Sequence, residues 1–348
     1  MKGLYVLGGR QKRALLRNRN EWTRYEGALI LQVDPDTGEV RTCAEYDTPP
    51  EARAGAEASM MFKAGTLGGD RLYVCTSTEV LIYQAPQFEV VGYISLPCFN
   101  DLHHVCLGGE GRLLAASTGL DMVVEFTEAA EVLRVWNVLG EDPWGRFSKD
   151  VDYRRVATTK PHRAHPNYIF HLGTDIWVTR FEQQDAVCLT RQGRRIAIGL
   201  ERVHDGNVQG DSIYFTTVDG RVVIADRHTL QVSSIVDLNR ISGASREPLG
   251  WCRGLWLVDD SRVWVGFSRI RETRFMENLA WVKRALDRLE RPSHIALYDL
   301  AAGQCLHEIE LESRGLSVIF SILPAVESRS EPRLLDADPR LERLAEVP

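Results

Sequence analysis

The sequence predicts an all-β fold, a six-bladed β-propeller, and two observations lead to this prediction. Short apolar runs recur along most of the chain between Gly and Asp turns, as in Arg71–Ser77 and Arg112–Ser117. Such runs indicate a sandwich, a barrel or a propeller. The second observation is the spacing of larger units, most of which begin about 40 residues apart, the length of a four-stranded blade. These units begin near Met61, Leu102, Asn167, Val203 and Cys252.

Each of the five units contains four apolar runs, so each predicts one blade. The first run of a unit is the innermost strand of its blade. The predicted innermost strands are Phe62–Leu67, Leu102–Leu107, Asn167–Leu172, Val203–Gln209 and Cys252–Val258.

A sixth blade is predicted from strands at the two ends of the sequence. Gly3–Leu7, Ala28–Val33 and Val40–Tyr46 form three strands that lack an innermost partner, and Leu316–Leu323 is a spare strand. Pairing the spare strand with Gly3–Leu7 closes the ring and removes exposed sheet edges. We therefore predict one domain over residues 1–325.

Three insertions and a tail interrupt this pattern. The insertions span residues 10–27, 139–164 and 268–293, and the order of strands in a blade predicts that all three lie on one face. In the third, apolar residues at helical spacing predict an amphipathic helix over 272–291, either a lid over the site on that face or a cap that only buries apolar surface. Residues 326–348 lack a strand pattern and predict a mostly disordered or loosely docked tail.

The composition excludes several classes of function. The 348 residues carry a net charge of −6, from 42 basic and 48 acidic residues, which gives no global attraction to nucleic acid. No run approaches the roughly 20 apolar residues of a membrane span, and no signal peptide is recognisable. Seven scattered cysteines without a CxxC pair favour reduced thiols and a cytoplasmic location. We expect a small-molecule substrate and neither nucleic acid nor a membrane as partner.

Three histidine-bearing segments recur at the start of successive units: Asn100–His104, His165–Asn167 and His204–Asn207. In a closed ring, the starts of the innermost strands converge on the central channel. Side chains two apart on a strand share a face, so His165 and Asn167 are expected to point the same way. Either His103 or its neighbour His104 is expected to face the channel. The candidate metal ligands are therefore His103, His104, His165 and His204.

Three neutral imidazoles suit Fe, Zn, Cu or Ni, whereas Ca²⁺ prefers oxygen ligands and is less expected. Asp101 and Asp205 are candidates to orient the imidazoles or to act as general bases. Lys63 and Arg253, with Asn167, are candidates to bind a carboxylate or phosphate of the substrate. A metal-free histidine and arginine site and purely structural histidines are the two alternatives.

Some segments resemble known families. Residues 165–169 (HPNYI) and 100–102 (NDL) resemble inner-strand motifs of the SMP-30/gluconolactonase, strictosidine synthase-like and NHL groups of six-bladed propellers. Residues 251–255 (WCRGL), 265–269 (VGFSR) and 318–324 (VIFSILP) resemble a bacterial propeller family, the DUF4915-like proteins. The resemblance implies the six-bladed fold. SMP-30-like enzymes hold a divalent cation on the axis with Glu, Asn and Asp, where this chain has histidines. The carotenoid oxygenase group holds iron with four histidines, where this chain has three well-placed candidates.

We therefore predict a metal-dependent enzyme of the lyase, hydrolase or oxygenase type that acts on a small polar or anionic molecule at the top of the channel. Asp101 or Asp205 would transfer protons, and Arg253 would position the substrate. The alternative is a non-catalytic propeller that binds a ligand or a protein partner on the same face.

Overall fold

The structure, a computed structural model, describes residues 3–12, 21–241, 249–270 and 291–326. In this part of the chain the strands form six four-stranded antiparallel sheets. They are the blades of a six-bladed β-propeller, as the sequence predicts.

Five blades are built from consecutive strands. Blade 1 contains β4 (Gly65–Gly68), β5 (Arg71–Cys75), β6 (Val80–Gln84) and β7 (Glu89–Ile94). Blade 2 contains β8 (Leu102–Gly109), β9 (Arg112–Ser117), β10 (Met122–Thr127) and β11 (Val132–Asn137). Blade 3 contains β12 (Pro166–Leu172), β13 (Asp175–Arg180), β14 (Asp185–Cys188) and β15 (Arg195–Ala197). Blade 4 contains β16 (Val203–Gln209), β17 (Ser212–Thr217), β18 (Arg221–Asp226) and β19 (Val232–Asp237). Blade 5 contains β20 (Trp251–Leu257), β21 (Arg262–Ser268), β22 (His294–Asp299) and β23 (Gln304–Glu310).

The sixth blade closes the ring with strands from both ends of the sequence. It contains β24 (Val318–Pro324), β1 (Leu4–Gln11), β2 (Tyr25–Val33) and β3 (Val40–Tyr46), in that order outward. β1 pairs with β24 in antiparallel register, with Leu4 opposite Pro324 and Val6 opposite Ile322. The predicted closure is therefore confirmed.

The hydrophobic core is divided among the interfaces between neighbouring blades. Apolar side chains of blades 1 and 2 form one cluster around Phe99 and Phe126, and blades 3 and 4 form another around Trp177 and Phe215. Successive side chains along a strand point to opposite faces of the sheet. The runs of consecutive apolar residues in these strands therefore bury both faces of a blade against its neighbours. This packing holds the innermost strands around the central axis.

Helical structure is short in the described residues. One α-helix, α1 (Leu238–Ile241), follows β19, and 3-10 turns span Glu21–Thr23, Pro50–Ala52, Thr118–Leu120 and Tyr153–Arg155. No helix among the described residues has the length and apolarity needed to cross a membrane. The predicted helix over 272–291 lies almost entirely in 271–290, outside the described residues, and the predicted tail over 326–348 lies outside them from 327 onward.

The innermost strands are irregular near one end of the channel. Their pairing with the next strand shifts register between Leu102 and His104 in β8 and between His204 and Asn207 in β16, and β12 and β20 carry similar shifts. Asp101, His165 and Asp205 adopt left-handed backbone at these places. A bulge of this kind redirects side chains locally, so simple alternation does not apply there.

Candidate active site

A cavity of about 490 Å³ opens at this end of the channel. Each blade contributes one side chain from the start of its innermost strand or the residues just before it. These six residues, the inner ring, are Lys63, His103, His165, His204, Arg253 and Phe320. The sequence predicted all of them except Phe320 as ligand or metal contacts, and the structure brings them together.

The predicted insertions form part of the cavity wall. Trp22 and Arg24 come from the first insertion and Arg154 and Lys160 from the second, and Arg269 begins the third. They lie on the same face as the inner-ring histidines, as the strand order predicted. In a chain of net charge −6, seven basic side chains and two acidic ones among the described residues line the cavity. The basic residues are Arg24, Arg53, Lys63, Arg154, Lys160, Arg253 and Arg269, and the acidic ones are Glu57 and Asp101.

Lys63 and Arg253 flank the ring of Phe320 at the inner end of the cavity. The Arg253 guanidinium lies 3.7 Å and the Lys63 ammonium 5.4 Å from the ring centroid. The Lys63 Nζ also donates to Asp101 Oδ1 at 2.5 Å, and both side chains are buried. Burial alone would raise the pKa of Asp101, but Lys63 and the nearby histidines hold it well below its usual range. Asp101 is therefore an anion that balances Lys63.

The three inner-ring histidines lie next to one another on one side of the cavity, and the ring of Phe181 lies between two of them. The ring centroids of His103 and His165 are 4.8 Å apart. The Phe181 ring separates His165 from His204, and its centroid lies 4.8 Å from that of His165 and 5.6 Å from that of His204. Trp251 packs against both Phe181 and His204 at 6.3 Å. The cavity thus has imidazole and aromatic walls on one side and cationic side chains on the other.

These histidines are neutral in the folded protein. Burial, reinforced by Lys63, lowers the pKa of His103 to about 3. Burial and the neighbouring imidazoles His103 and His162 lower the pKa of His165 well below its usual range, and burial and Arg253 do the same for His204. The Nε2 atom of His204 is buried and has no hydrogen-bond partner among the described residues.

His104 lies in the seam between blades rather than in the cavity. Its ring stacks on Tyr168 of blade 3 with centroids 3.8 Å apart, and its Nδ1 accepts from the Ile169 N–H at 3.0 Å. Its Nε2 contacts the Thr66 hydroxyl of blade 1 at 3.3 Å. The structure therefore answers which of the two neighbouring histidines faces the channel: it is His103.

Two further predicted residues also lie in seams. Asp205 Oδ2 accepts from the Thr216 hydroxyl and from the Gly254 N–H of blade 5, and burial raises the pKa of this carboxyl to about 6. The Asn167 Nδ2 donates to the Val203 carbonyl of blade 4 at 2.7 Å. The expectation that His165 and Asn167 share a face is wrong, because the β12 bulge lies between Pro166 and Ile169.

The inner ring lacks the arrangement that a metal ion needs. Within the described residues, no group of three or more His, Cys, Asp or Glu side chains is arranged to hold one. His104 faces the seam, Phe181 separates His165 from His204, and Lys63 and Arg253 put positive charge beside the imidazoles. Cations are repelled by such surroundings and anions are attracted. The donor set therefore fits a transition metal poorly, and the metal remains a prediction.

Sequence reasoning missed the aromatic walls and one of the loops. Phe181 and Trp251 stand at strand boundaries and Phe320 in β24, where no motif in the sequence marks them as part of a site. The connector from Arg53 to Ser59 also lines the cavity. The signal that could have found Phe320 was the equivalence of β24 with the other innermost strands.

Comparisons with known proteins agree with this architecture. No family model matches the chain, and no curated protein matches it. A protein of unknown function from Bacteroides caccae has a similar structure, with a TM-score of 0.59 and 12% identity over 94% of this chain and 100% of its own. A chain of a nidogen/laminin complex is also similar, with a TM-score of 0.57 and 8% identity. The match covers 93% of this chain and 98% of that one. These similarities show the fold alone.

Proposed function

We propose that the cavity binds a small organic anion and that the neutral histidines beside it take part in chemistry on that molecule. The observation that carries this proposal is the position of Lys63 and Arg253, which flank Phe320 at the inner end of a cavity with a strongly basic lining. Cationic side chains in a partly desolvated cleft attract anions and strengthen their hydrogen bonds.

The ligand is expected to combine an anionic group with an apolar or aromatic body. Arg253 presents a planar fork of donors that matches a carboxylate, and the Lys63 ammonium, whose charge Asp101 balances, is a further hydrogen-bond donor on the adjoining side. Phe181 and Trp251 offer flat apolar surfaces on the histidine side of the cavity. The volume of about 490 Å³ falls in the range of small-molecule sites, about 300 to 1,000 Å³.

Calorimetric titration tests this proposal with phenylacetate, 3-phenylpropionate and indole-3-acetate as probes. At least one acid is expected to bind, and Arg253→Gln should weaken it about tenfold or more, since a charge-assisted hydrogen bond contributes about 1.5–3 kcal/mol. Arg262→Gln is the matched control, because Arg262 pairs with Asp259 in the turn between β20 and β21 and does not line the cavity. The proposal fails if no acid binds, or if 3-phenylpropylamine binds more tightly than 3-phenylpropionate.

A transition-metal enzyme of the lyase, hydrolase or oxygenase type is the second candidate. It is favoured by the presence of His103, His165 and His204 around one cavity. Metal analysis of protein purified without chelators or a histidine tag distinguishes the two. About one Fe, Zn, Cu or Ni per chain, lost in His204→Ala, would favour the metal enzyme over the anion site.

The alternative is a propeller that binds the same anion without reacting. Following each bound probe for chemical change distinguishes it from an enzyme.

We also infer that this chain is related to the SMP-30/gluconolactonase, strictosidine synthase-like, NHL or DUF4915-like propellers. The inference rests on the motifs named above and on the shared six-bladed fold.

A further inference from the structure

The second insertion ends on a buried carboxylate of the neighbouring blade. Asp121 lies in the turn between β9 and β10 of blade 2, and its side chain is almost fully buried. Its Oδ1 accepts from the N–H groups of Ala164 and His165, both at 2.9 Å, and its Oδ2 accepts from the Arg163 N–H at 2.9 Å. Three consecutive backbone donors therefore surround one carboxylate and fix the conformation of the segment that leads into β12.

A guanidinium completes the surroundings of this carboxylate. Arg146 donates from Nη1 to Asp121 Oδ2 at 3.1 Å and from Nη2 to the Pro161 carbonyl at 2.6 Å. A buried carboxylate needs both hydrogen-bond donors and a counter-charge, and Asp121 has both. Through Arg146 the same carboxylate also holds the part of the insertion that precedes the three donors.

The backbone of His165 depends on this support. Its φ of 55° is left-handed, which is unfavourable for a non-glycine residue and persists only where contacts enforce it. Asp101 and Asp205 have the same backbone conformation at the corresponding places in blades 2 and 4, and each carries its own carboxylate there. In blade 3 that position is a histidine, and Asp121 of blade 2 supplies the carboxylate.

The support extends from His165 to an aromatic wall of the cavity. The Phe181 N–H donates to the His165 carbonyl at 3.2 Å, and the Glu182 N–H donates to the Ala164 carbonyl at 3.1 Å. The rings of His165 and Phe181 lie 4.8 Å apart, centroid to centroid, and both line the cavity. The two residues whose N–H groups bond to Asp121 thus use their carbonyls to hold the end of β13 that leads to Phe181.

We infer, on the basis of the proposed anion site, that Asp121 is a positioning residue for ligand binding. It does not line the cavity, yet it fixes His165 and, through it, the Phe181 ring on which the apolar body of the ligand is expected to lie. A wall held in advance spares the ligand the cost of ordering these side chains when it binds.

Proton–carbon NMR of protein labelled at the histidine rings tests this role without any ligand. Asp121→Asn keeps the shape of the side chain, but its amide N–H₂ then faces groups that can only donate, such as the Arg163 N–H or Arg146. We expect the His165 ring signals to move, because ring currents depend on the distance between this ring and Phe181. The signals are assigned by their loss in His165→Gln.

Asp175→Asn is the matched control. Asp175 is also a buried carboxylate paired with arginines, Arg191 and Arg194, but it lies in blade 3 at the opposite end of β12 from His165 and does not line the cavity. Urea denaturation gives the loss of stability in each variant. The inference is overturned if the His165 signals stay in place in Asp121→Asn, or if both variants move them equally.

Calorimetric titration with 3-phenylpropionate tests the consequence for binding. Asp121→Asn should raise the Kd about fivefold, the cost of ordering one or two loosened side chains, whereas Asp175→Asn should leave it within about twofold of wild type. If Asp121→Asn does not fold, Arg146→Gln removes the guanidinium from the same carboxylate at a partly exposed side chain and should raise the Kd in the same direction.

The two parts of the argument fail in different ways. If the wild type binds 3-phenylpropionate and the Kd does not change in Asp121→Asn, the anion site stands and the positioning role is overturned. If the wild type binds none of the three acids, the anion site fails and the positioning role in ligand binding fails with it. The NMR comparison then still shows whether Asp121 holds the wall.

Discussion

Asp101 and Asp205 occupy similar places in two blades, yet their surroundings differ. Both lie at the start of an innermost strand, both have left-handed backbone with φ of 51° and 50°, and both are buried. Asp101 faces the cavity and pairs with Lys63 of blade 1, whereas Asp205 faces the seam and accepts from Thr216 and from the Gly254 N–H. One carboxylate belongs to the candidate site and the other joins two blades.

The difference teaches that the partner from the adjoining blade decides what a buried acid can do. Burial raises the pKa of both carboxyls, but at Asp101 the ammonium of Lys63 and the neighbouring histidines together outweigh burial, whereas at Asp205 the hydrogen-bond donors and Arg253 do not. Asp101 is thus a fixed counter-charge, and Asp205 keeps its proton more readily than an exposed aspartate does. Three predictions test this contrast, beginning with the largest expected effect.

Asp101→Asn is expected to lower the free energy of unfolding by about 3–5 kcal/mol, because it leaves the buried ammonium of Lys63 without its counter-charge. Urea denaturation at pH 7 measures the loss. Asp259→Asn is the control, since it removes an exposed pair with Arg262 and should cost less than about 1 kcal/mol. Equal losses for the two variants would show that the Lys63 pair contributes no more than a surface ion pair.

The neighbours His103 and His104 provide the second test. His104→Ala removes the stack on Tyr168 and the acceptor of the Ile169 N–H, so it is expected to lower the free energy of unfolding by about 2 kcal/mol. The affinity for 3-phenylpropionate should stay within about twofold of wild type.

His103→Ala is the matched variant, with the opposite pattern expected: weakened binding and a smaller loss of stability. Denaturation and calorimetry on both proteins give the comparison. A loss of binding in His104→Ala alone would show that the seam residue, not its neighbour, contacts the ligand.

Asp205 gives the smallest effect, which depends on pH. Its folded pKa of about 6 exceeds the unfolded value of about 4, so the folded state binds the proton more tightly and the stabilising contribution falls as pH rises through 4 to 6. Between pH 5 and pH 7 the wild type should lose about 1 kcal/mol relative to Asp205→Asn. Urea denaturation of both proteins at the two pH values measures this difference, and parallel stabilities would contradict a raised pKa.

The ring closure could be predicted because strand count and blade period depend only on the order of apolar runs. The inner-ring positions could also be predicted, because Lys63, His103, His204 and Arg253 each lie the same number of residues before the turn that follows. The direction of the side chains at the bulges could not be predicted. Period-two alternation placed Asn167 beside His165, and counting along the strand does not show where an extra residue is inserted.

The rest of the site depends on contacts between distant segments. Phe181 follows β13 and Trp251 begins β20, and only the packing of blades 3, 4 and 5 brings both against His204. The pairing of Asp101 with Lys63 likewise joins two blades. No local pattern records such contacts, because each residue is compatible with several partners until the blades are assembled.

The pairing of β1 with β24 has a consequence for how the protein is made. Among the described strands, β1 is synthesised before the five other blades, whereas its inner partner β24 is synthesised after them. Until then the inner edge of β1 exposes backbone donors and acceptors that another nascent chain can pair with. The hairpins within blades 1 to 5 are local and form early, but closure requires the contact of longest sequence separation, which slows folding. Ring closure therefore comes last, and the interval before it is when this chain most needs a chaperone.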